Sequence, residues 1–299
     1  KMTIIDVKGL TKDFGEGKGI FDLNFEIKQG EVIGITGANG SGKTTTIRHL
    51  MGFIKPDQGQ AIINGLDAWK DSSELKKVVG YIPGEIAFPD YPTGNEFIKA
   101  QLELMGSKNY DIANYVAHKL KLDTSANLKR MSKGMKQKTA IVAAFMSDSP
   151  ILFFDEPTTG LDPLMRRAFL DLILEEKKKG KTIIMATHIY EEIEQVCDRY
   201  ILLDKGHVVD IASLDEIKHH EQKSFKIGFA SKEGFEWAVK TCPFVKTNRP
   251  QYNQIIVEMY DQEINEIFDY VHRFKVKYIS EIKYDLRKHI ESKLGGKRS

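Results

Sequence analysis

Short apolar runs separated by glycine-bearing turns fill the first 67 residues. Their spacing predicts strands over 3–7, 21–27, 32–36 and 60–63, with Asn64-Gly65 marking a turn. The pattern changes from residue 73. Over 96–105 and 112–122 apolar positions recur at helical spacing and β-branched runs are scarce, so 73–130 reads as a helical insertion. Strands return at 151–154, 182–186 and 200–203, with helices over 164–178 and 189–196 between them. Strands alternating with helices predict a mainly parallel sheet with helices on both faces.

A polar stretch over 218–222 predicts a junction. Beyond it, strands over 224–229, 254–259 and 276–283 and helices over 233–240 and 264–274 give β-α-β followed by α-β, closed by a helix over 283–294. The expectation is therefore a large α/β domain over 1–220, with a helical subdomain over about 73–145, and a small α+β domain over 221–299 ending in a frayed tail at 295–299.

Composition narrows the function classes. Lysine and arginine number 44 against 42 acidic residues, a net charge of +2, which gives no basic stripe of the kind nucleic acid demands. From residue 221 onward 15 basic residues face 11 acidic ones, a mild asymmetry that reads as solvated surface. The two cysteines, Cys197 and Cys242, form neither a disulfide framework nor a metal-ligand spacing and fit a reducing cytosol. Residues 1–6 hold no signal-peptide core, and no apolar run approaches the ~20 residues of a membrane helix. Any membrane role must come from docking onto a partner.

The most informative segment is Gly37-Ala38-Asn39-Gly40-Ser41-Gly42-Lys43-Thr44, followed by Thr45. It fits G-x-x-x-x-G-K-[ST], with a buried strand before it and a helix after it, the context the motif requires. Glycines let backbone N–H groups converge on anionic oxygens, and the helix N-terminus adds partial positive charge. Lys43 should reach the β- and γ-phosphates and Thr44 should hold Mg²⁺. A glycine-rich structural turn is the bland alternative, and the full match in its context disfavours it. The chain binds ATP or GTP.

A second segment, Ile151-Leu152-Phe153-Phe154-Asp155-Glu156, is an apolar strand ending in two carboxylates at the sheet edge where ligands gather. Asp155 is assigned to the metal and Glu156 to the general base that deprotonates the attacking water. His188 follows the strand over 182–186, so it should reach the same edge and bond the γ-phosphate. Ser132 reads as the N-cap of a helix running through 140–146, leaving that N-terminus free to face an anion.

Taken in order, these residues resemble the ATP-binding subunit of ABC transporters over about 3–215. Gly37 to Thr44 matches Walker A, and Ile151 to Glu156 matches Walker B with its catalytic glutamate. Ser132, Lys133, Gly134 and Met135 sit where the LSGGQ signature belongs. Gly160-Leu161-Asp162 resembles the D-loop, His188 the switch histidine, and Phe14 the aromatic that stacks on adenine. The fold implied is a P-loop NTPase core with a mainly parallel sheet, an antiparallel β subdomain and a helical insertion, joined to the α+β domain. The resemblance also implies a homodimer, or a heterodimer with a related ATPase, in which the signature acts in trans on ATP. It implies transmembrane permease subunits as partners, a peripheral location on the cytoplasmic face of the cell membrane, and no nucleic acid.

Two departures stand out. Lys133 and Met135 replace the usual Gly and Gln of the signature, and Gly84 stands at the usual Q-loop Gln, with Glu85 able to substitute in the metal shell through a water. Within the superfamily, Ser-Lys-Gly-Met-Lys-Gln and Tyr-Ile-Pro-Gly-Glu look like the bacterial ABC-2-type exporter group, which handles antimicrobial peptides and drugs. The helical insertion, with 84–95 at its base, would dock the membrane partner; Phe88, Tyr91 and Phe97 are candidate contacts or, equally, local core. A soluble ABC ATPase acting on ribosomes or DNA is the alternative function, and a subunit that binds ATP without turnover is a third. His219-His220 read as solvent-exposed, and the C-terminal domain as a dimer brace or regulatory cap.

Overall fold

The computed structural model describes residues 1–295; the last four residues of the expected tail, 296–299, lie outside the described residues. The chain divides into two compact units, Lys1–Leu214 and Asp215–Ser299. The division falls ahead of the expected 220/221 boundary, at the start of the helix over 214–218.

The first unit holds ten strands: β1 (Thr3–Gly15), β2 (Lys18–Lys28), β3 (Val32–Thr36), β4 (Gln58–Ile63), β5 (Leu66–Asp67), β6 (Val79–Ile82), β7 (Ile151–Asp155), β8 (Thr182–Ala186), β9 (Arg199–Asp204) and β10 (His207–Ser213). Its helices are α1 (Lys43–Leu50), α2 (Ser72–Leu75), α3 (Gly94–Leu104), α4 (Asp111–Lys119), α5 (Lys133–Met146), α6 (Pro163–Lys178) and α7 (Tyr190–Val196), and α8 (Leu214–Lys218) begins at its last residue.

An antiparallel sheet runs β2-β1-β4-β5, and a six-stranded sheet runs β10-β9-β3-β8-β7-β6 with every pairing parallel except β10 to β9. All five residues of β3, β7 and β8 are buried, as expected of strands covered on both faces. One apolar cluster joins Ile5, Leu23 and Ile27 of the antiparallel sheet, Ile47 and Leu50 of α1, and Ile33, Ile151 and Phe153 of the parallel sheet. On the opposite side of β7, Phe154 stacks on Phe145 of α5 at 5.7 Å and meets Phe169 of α6 edge-on at 5.7 Å. Each such aromatic pair adds about 0.5–1.5 kcal/mol beyond simple burial. Alternation along β7 thus sends Phe153 toward α1 and Phe154 toward α5 and α6, which anchors the strand end carrying Asp155.

The structure corrects one expectation here. Residues 79–82 form β6, paired in parallel with β7, so the stretch from 73 is not helical throughout. The four-residue run Val79-Gly80-Tyr81-Ile82 is too short for periodicity to separate a buried strand from a helical turn. The helices α3, α4 and α5 follow it and pack on one another.

The second unit contains β11 (Gln222–Phe229), α9 (Lys232–Thr241), β12 (Val245–Arg249), β13 (Gln254–Tyr260), α10 (Ile267–Val271), β14 (Val276–Ile282) and α11 (Leu286–Lys293). Its antiparallel sheet runs β12-β13-β11-β14, the order of a split βαβ fold, and its core joins Ile227, Phe229, Ile255 and Val257 to Phe235, Ala238 and Val271 of the helices. The sequence pattern misses β12 because Lys246, Thr247, Asn248 and Arg249 are polar and exposed on an edge strand. Helix 264–274 is also shorter than expected: a 3₁₀ segment, Asp261–Glu266, leads into α10.

Candidate active site

The phosphate loop spans the gap between β3 and α1. Gly42 precedes the helix with φ 108°, a left-handed conformation, and a Cβ there would lie 2.9 Å from Ile20 Cγ2. Gly37 is tighter still, since a Cβ would meet the Leu203 carbonyl oxygen at 2.2 Å. Ala38, Asn39 and Gly40 are exposed at the loop tip, and Thr44 is exposed in the first turn of α1. The buried Lys43 donates from Nζ to the carbonyls of Gly37 at 2.7 Å and Ala38 at 3.2 Å. Burial lowers its pKa, while Glu156 and Asp155 pull in the opposite direction, so both acids lie within electrostatic reach of the ammonium. Phe14 is exposed near the β1–β2 turn. The same hairpin carries Gly19 and Ile20, which lie against Gly42.

Asp155 ends β7 and is fully buried, yet neither carboxylate oxygen has a hydrogen-bond partner. Burial pushes its carboxyl above the ordinary aspartate range. The nearby Thr44 side chain, Lys43 and Arg48 favour the anion and Glu156 opposes it. Glu156 follows at φ 48°, left-handed for a residue with a side chain, and its N–H donates to the Ala186 carbonyl at 2.8 Å. Its Oε2 lies 2.9 Å from His188 Nδ1, and the His188 ring is largely exposed. The structure therefore brings Lys43, Asp155, Glu156 and His188 to one edge of the parallel sheet.

The signature residues sit at the start of α5. The Ser132 hydroxyl accepts from the Met135 N–H at 3.2 Å, and Lys133 is exposed. A Cβ on Gly134 would meet the Gly160 carbonyl oxygen at 2.8 Å, so this helix start rests on the D-loop of its own chain. Asp162 caps α6, accepting from the Met165 N–H at 2.9 Å, with Pro163 next to it. Gly84 lies against the Asp155 carboxylate, since a Cβ there would be 2.8 Å from its Oδ2. Glu85 is exposed and lines a cleft of about 350 Å³ with Ile86, Lys133, Lys136, Gln137 and Thr159.

Phe97 is buried and packs against Phe88 at 5.0 Å and Tyr91 at 5.9 Å, so this aromatic group is at least partly local core. His219 is exposed, but His220 is half-buried and stacks on Tyr284 at 4.0 Å, which corrects the expectation that both face solvent. Sequence reasoning missed Gln137, whose buried amide donates to the Pro157 carbonyl at 2.7 Å, and the buried Glu192. A glutamate beside Ile193 on the inward face of a short helix was the available signal for Glu192.

Among the described residues no helix is long and apolar enough to cross a membrane. The ABC transporter family profile matches residues 20–159. The ABC transporter ATP-binding protein MJ1023 of Methanocaldococcus jannaschii is 36% identical over 218 residues, covering 71% of this chain and 79% of that protein. The bacitracin transport ATP-binding protein BcrA of Bacillus licheniformis is 34% identical over 227 residues, covering 74% and 73%. Among solved structures, the dimeric post-hydrolysis state of the ATP-binding cassette MJ0796 bound to ADP and Pi is similar with a TM-score of 0.63 at 25% identity, covering 70% of this chain and 98% of that one. Phosphate loop, paired carboxylates and histidine in one site, together with these likenesses, place the chain: it belongs to the ABC transporter ATP-binding proteins and is an ATP-hydrolysing subunit of that family.

Proposed function

We propose that the chain powers export of a substrate through separate membrane-spanning subunits, working as a dimer on the cytoplasmic face of the membrane. The observation that carries the hydrolytic part is the 2.9 Å contact between Glu156 and His188 beside the unpartnered carboxylate of Asp155. Glu156 accepts the proton of the attacking water, and His188 holds that carboxylate in place while its exposed ring faces the γ-phosphate. Lys43 leaves the loop carbonyls for the phosphates, and the backbone N–H groups of 38–44 bind their oxygens. Phe14 stacks on the base.

The donor set fits Mg²⁺: Asp155 offers two buried oxygens with no partner of good hydrogen-bond geometry, and the nearby Thr44 offers an exposed hydroxyl on the adjoining helix. Thr44 and Asp155 would hold the ion, which when bound neutralises charge on the β- and γ-phosphates. Glu85, considered from sequence as a water-mediated ligand, is left out of this set. Gly84 rather than Glu85 abuts Asp155, and Glu85 lines the lysine-bounded cleft.

Ser132, Lys133, Gly134 and Met135 act on the nucleotide of the partner subunit, with Asp162 at the same interface. The likeness to a solved dimeric cassette supports that arrangement. Likeness to a bacitracin transport protein supports export and leaves the substrate of this chain open. Purification of the tagged chain from its native membrane tests the reading: a multi-span membrane protein that co-purifies and stimulates turnover supports it, and co-purification with ribosomes overturns it.

A further inference from the structure

Glu192 of α7 is 1% exposed, an acid enclosed in a helix face whose other inward residues are Ile193 and Val196. Both of its oxygens are engaged. The Thr158 hydroxyl donates to Oε1, and the Thr187 hydroxyl donates to Oε2 at 2.9 Å. Arg166 Nε of α6 lies 3.4 Å from Oε1. Thr158 stands two residues after Glu156, and Thr187 stands immediately before His188. One buried carboxylate therefore joins the two loops whose tips carry the reacting pair.

The clamp acts where the backbone needs holding. Glu156 sits in a left-handed conformation, which for a residue with a side chain persists only when its surroundings over-determine it. The turn behind it closes on itself, with Thr159 donating from N–H and hydroxyl to the Glu156 carbonyl and Leu161 N–H donating to the Thr158 carbonyl. The other loop is fixed by the Ile189 N–H, which donates to the Thr187 hydroxyl at 3.1 Å. Each threonine hydroxyl carries a single proton, and both protons go to Glu192. Only an acceptor at both oxygens satisfies both hydroxyls: an amide would meet one of them with a donor. Burial pushes the Glu192 carboxyl above its ordinary range and Glu156 adds to the shift, opposed by both hydroxyls and Arg166.

We infer that Glu192 is a positioning residue for hydrolysis, holding the Glu156 turn and the His188 loop in register through Thr158 and Thr187. Its own oxygens are buried against those two threonines, behind the loop tips. It rests on the reading of Glu156 as the base, and the test separates the two. ATP turnover, KM and nucleotide affinity are measured for Glu192→Gln, Thr158→Val and Thr158→Ser, with thermal melts as a check on folding. Because a misplacement of about 1 Å can cost ~10²-fold in rate, Glu192→Gln and Thr158→Val should each lower kcat about 10–100-fold with nucleotide Kd within about twofold. Thr158→Ser, which keeps the hydroxyl, should retain most of the parent kcat. In a Glu156→Gln background, Glu192→Gln should lower turnover no further. Turnover near the parent value in both Glu192→Gln and Thr158→Val overturns the inference. So does nucleotide affinity that falls in step with kcat, or a Thr158→Ser as damaged as Thr158→Val. Should Glu192→Gln fail to fold, the Thr158 pair decides alone. If Glu156→Gln itself turns over normally, the assignment of the base fails while the Glu192 and Thr158 variants still report on the clamp.

Discussion

Replacing Gly84 by alanine should damage hydrolysis far more than folding. The added Cβ would stand 2.8 Å from Asp155 Oδ2 and 3.2 Å from Asp155 Cγ. Comfortable contact between such atoms begins near 3.5 Å, so one partner must retreat by roughly half an ångström or more. Asp155 has little room, because it is fully buried at the end of β7 and paired with Ala186 of β8. Gly84 lies on an exposed segment and can give way. Overpacking in a rigid core costs about 1–3 kcal/mol, and an exposed segment should hold the penalty near the low end, a melting shift of about 2–4 °C. The chemistry is less forgiving, since a methyl pressed against Asp155 Oδ2 crowds the oxygen proposed to hold the metal, and a misfit of a fraction of an ångström there is worth ~10–100-fold in rate. The assay is steady-state ATP turnover at graded Mg²⁺, with melting curves of the same samples. Turnover should fall and half-saturation by Mg²⁺ should move to higher concentration. Unchanged turnover with unchanged Mg²⁺ demand would refute the placement of Gly84 against a working metal ligand.

Lys43→Ala should lose nucleotide affinity in calorimetry, because its ammonium is proposed as the phosphate clamp; affinity equal to the parent would remove it from that role. Glu156→Gln should bind ATP normally and turn it over ~10²–10⁴-fold more slowly, the usual contribution of a general base, and a near-normal rate would dismiss the assignment. The Asp155 carboxyl is raised in the folded protein, so its protonated form carries the stability: that contribution is fully present below the unfolded value of 3.8 and is lost as pH rises through the raised folded value. Without Mg²⁺, Asp155→Asn should therefore melt higher than the parent at pH 7.5 and lose that advantage toward pH 4; an advantage independent of pH would contradict the unpaired carboxylate.

Much of the site was legible because each part carries its own local chemistry. Gly37 and Gly42 are required by a close approach to Leu203 and Ile20, and the run 151–154 is apolar because β7 is covered on both faces. Helices such as α6, bounded by the capping Asp162 with Pro163 and by lysines in its last turn, announced both of their ends. What escaped depends on partners distant in sequence. The strand β12 is polar because it lies on an edge, and β6 is too short to show a period. Glu192 looks like one more surface acid until the fold brings Thr158 from 34 residues away. Gly84 stands where a glutamine is usual, and only the fold shows that the Asp155 carboxylate occupies the space a side chain there would need.

The central claim is that two copies of this cassette enclose ATP, each completing the site of the other with the α5 N-terminus that carries Ser132. Light scattering on Glu156→Gln saturated with ATP and Mg²⁺ tests it most directly, with Ser132→Arg added to the same protein as the control. A species of twice the monomer mass that forms only with nucleotide and disappears in the double variant is the predicted result. A monomer holding bound ATP, or a dimer indifferent to Ser132→Arg, would contradict it.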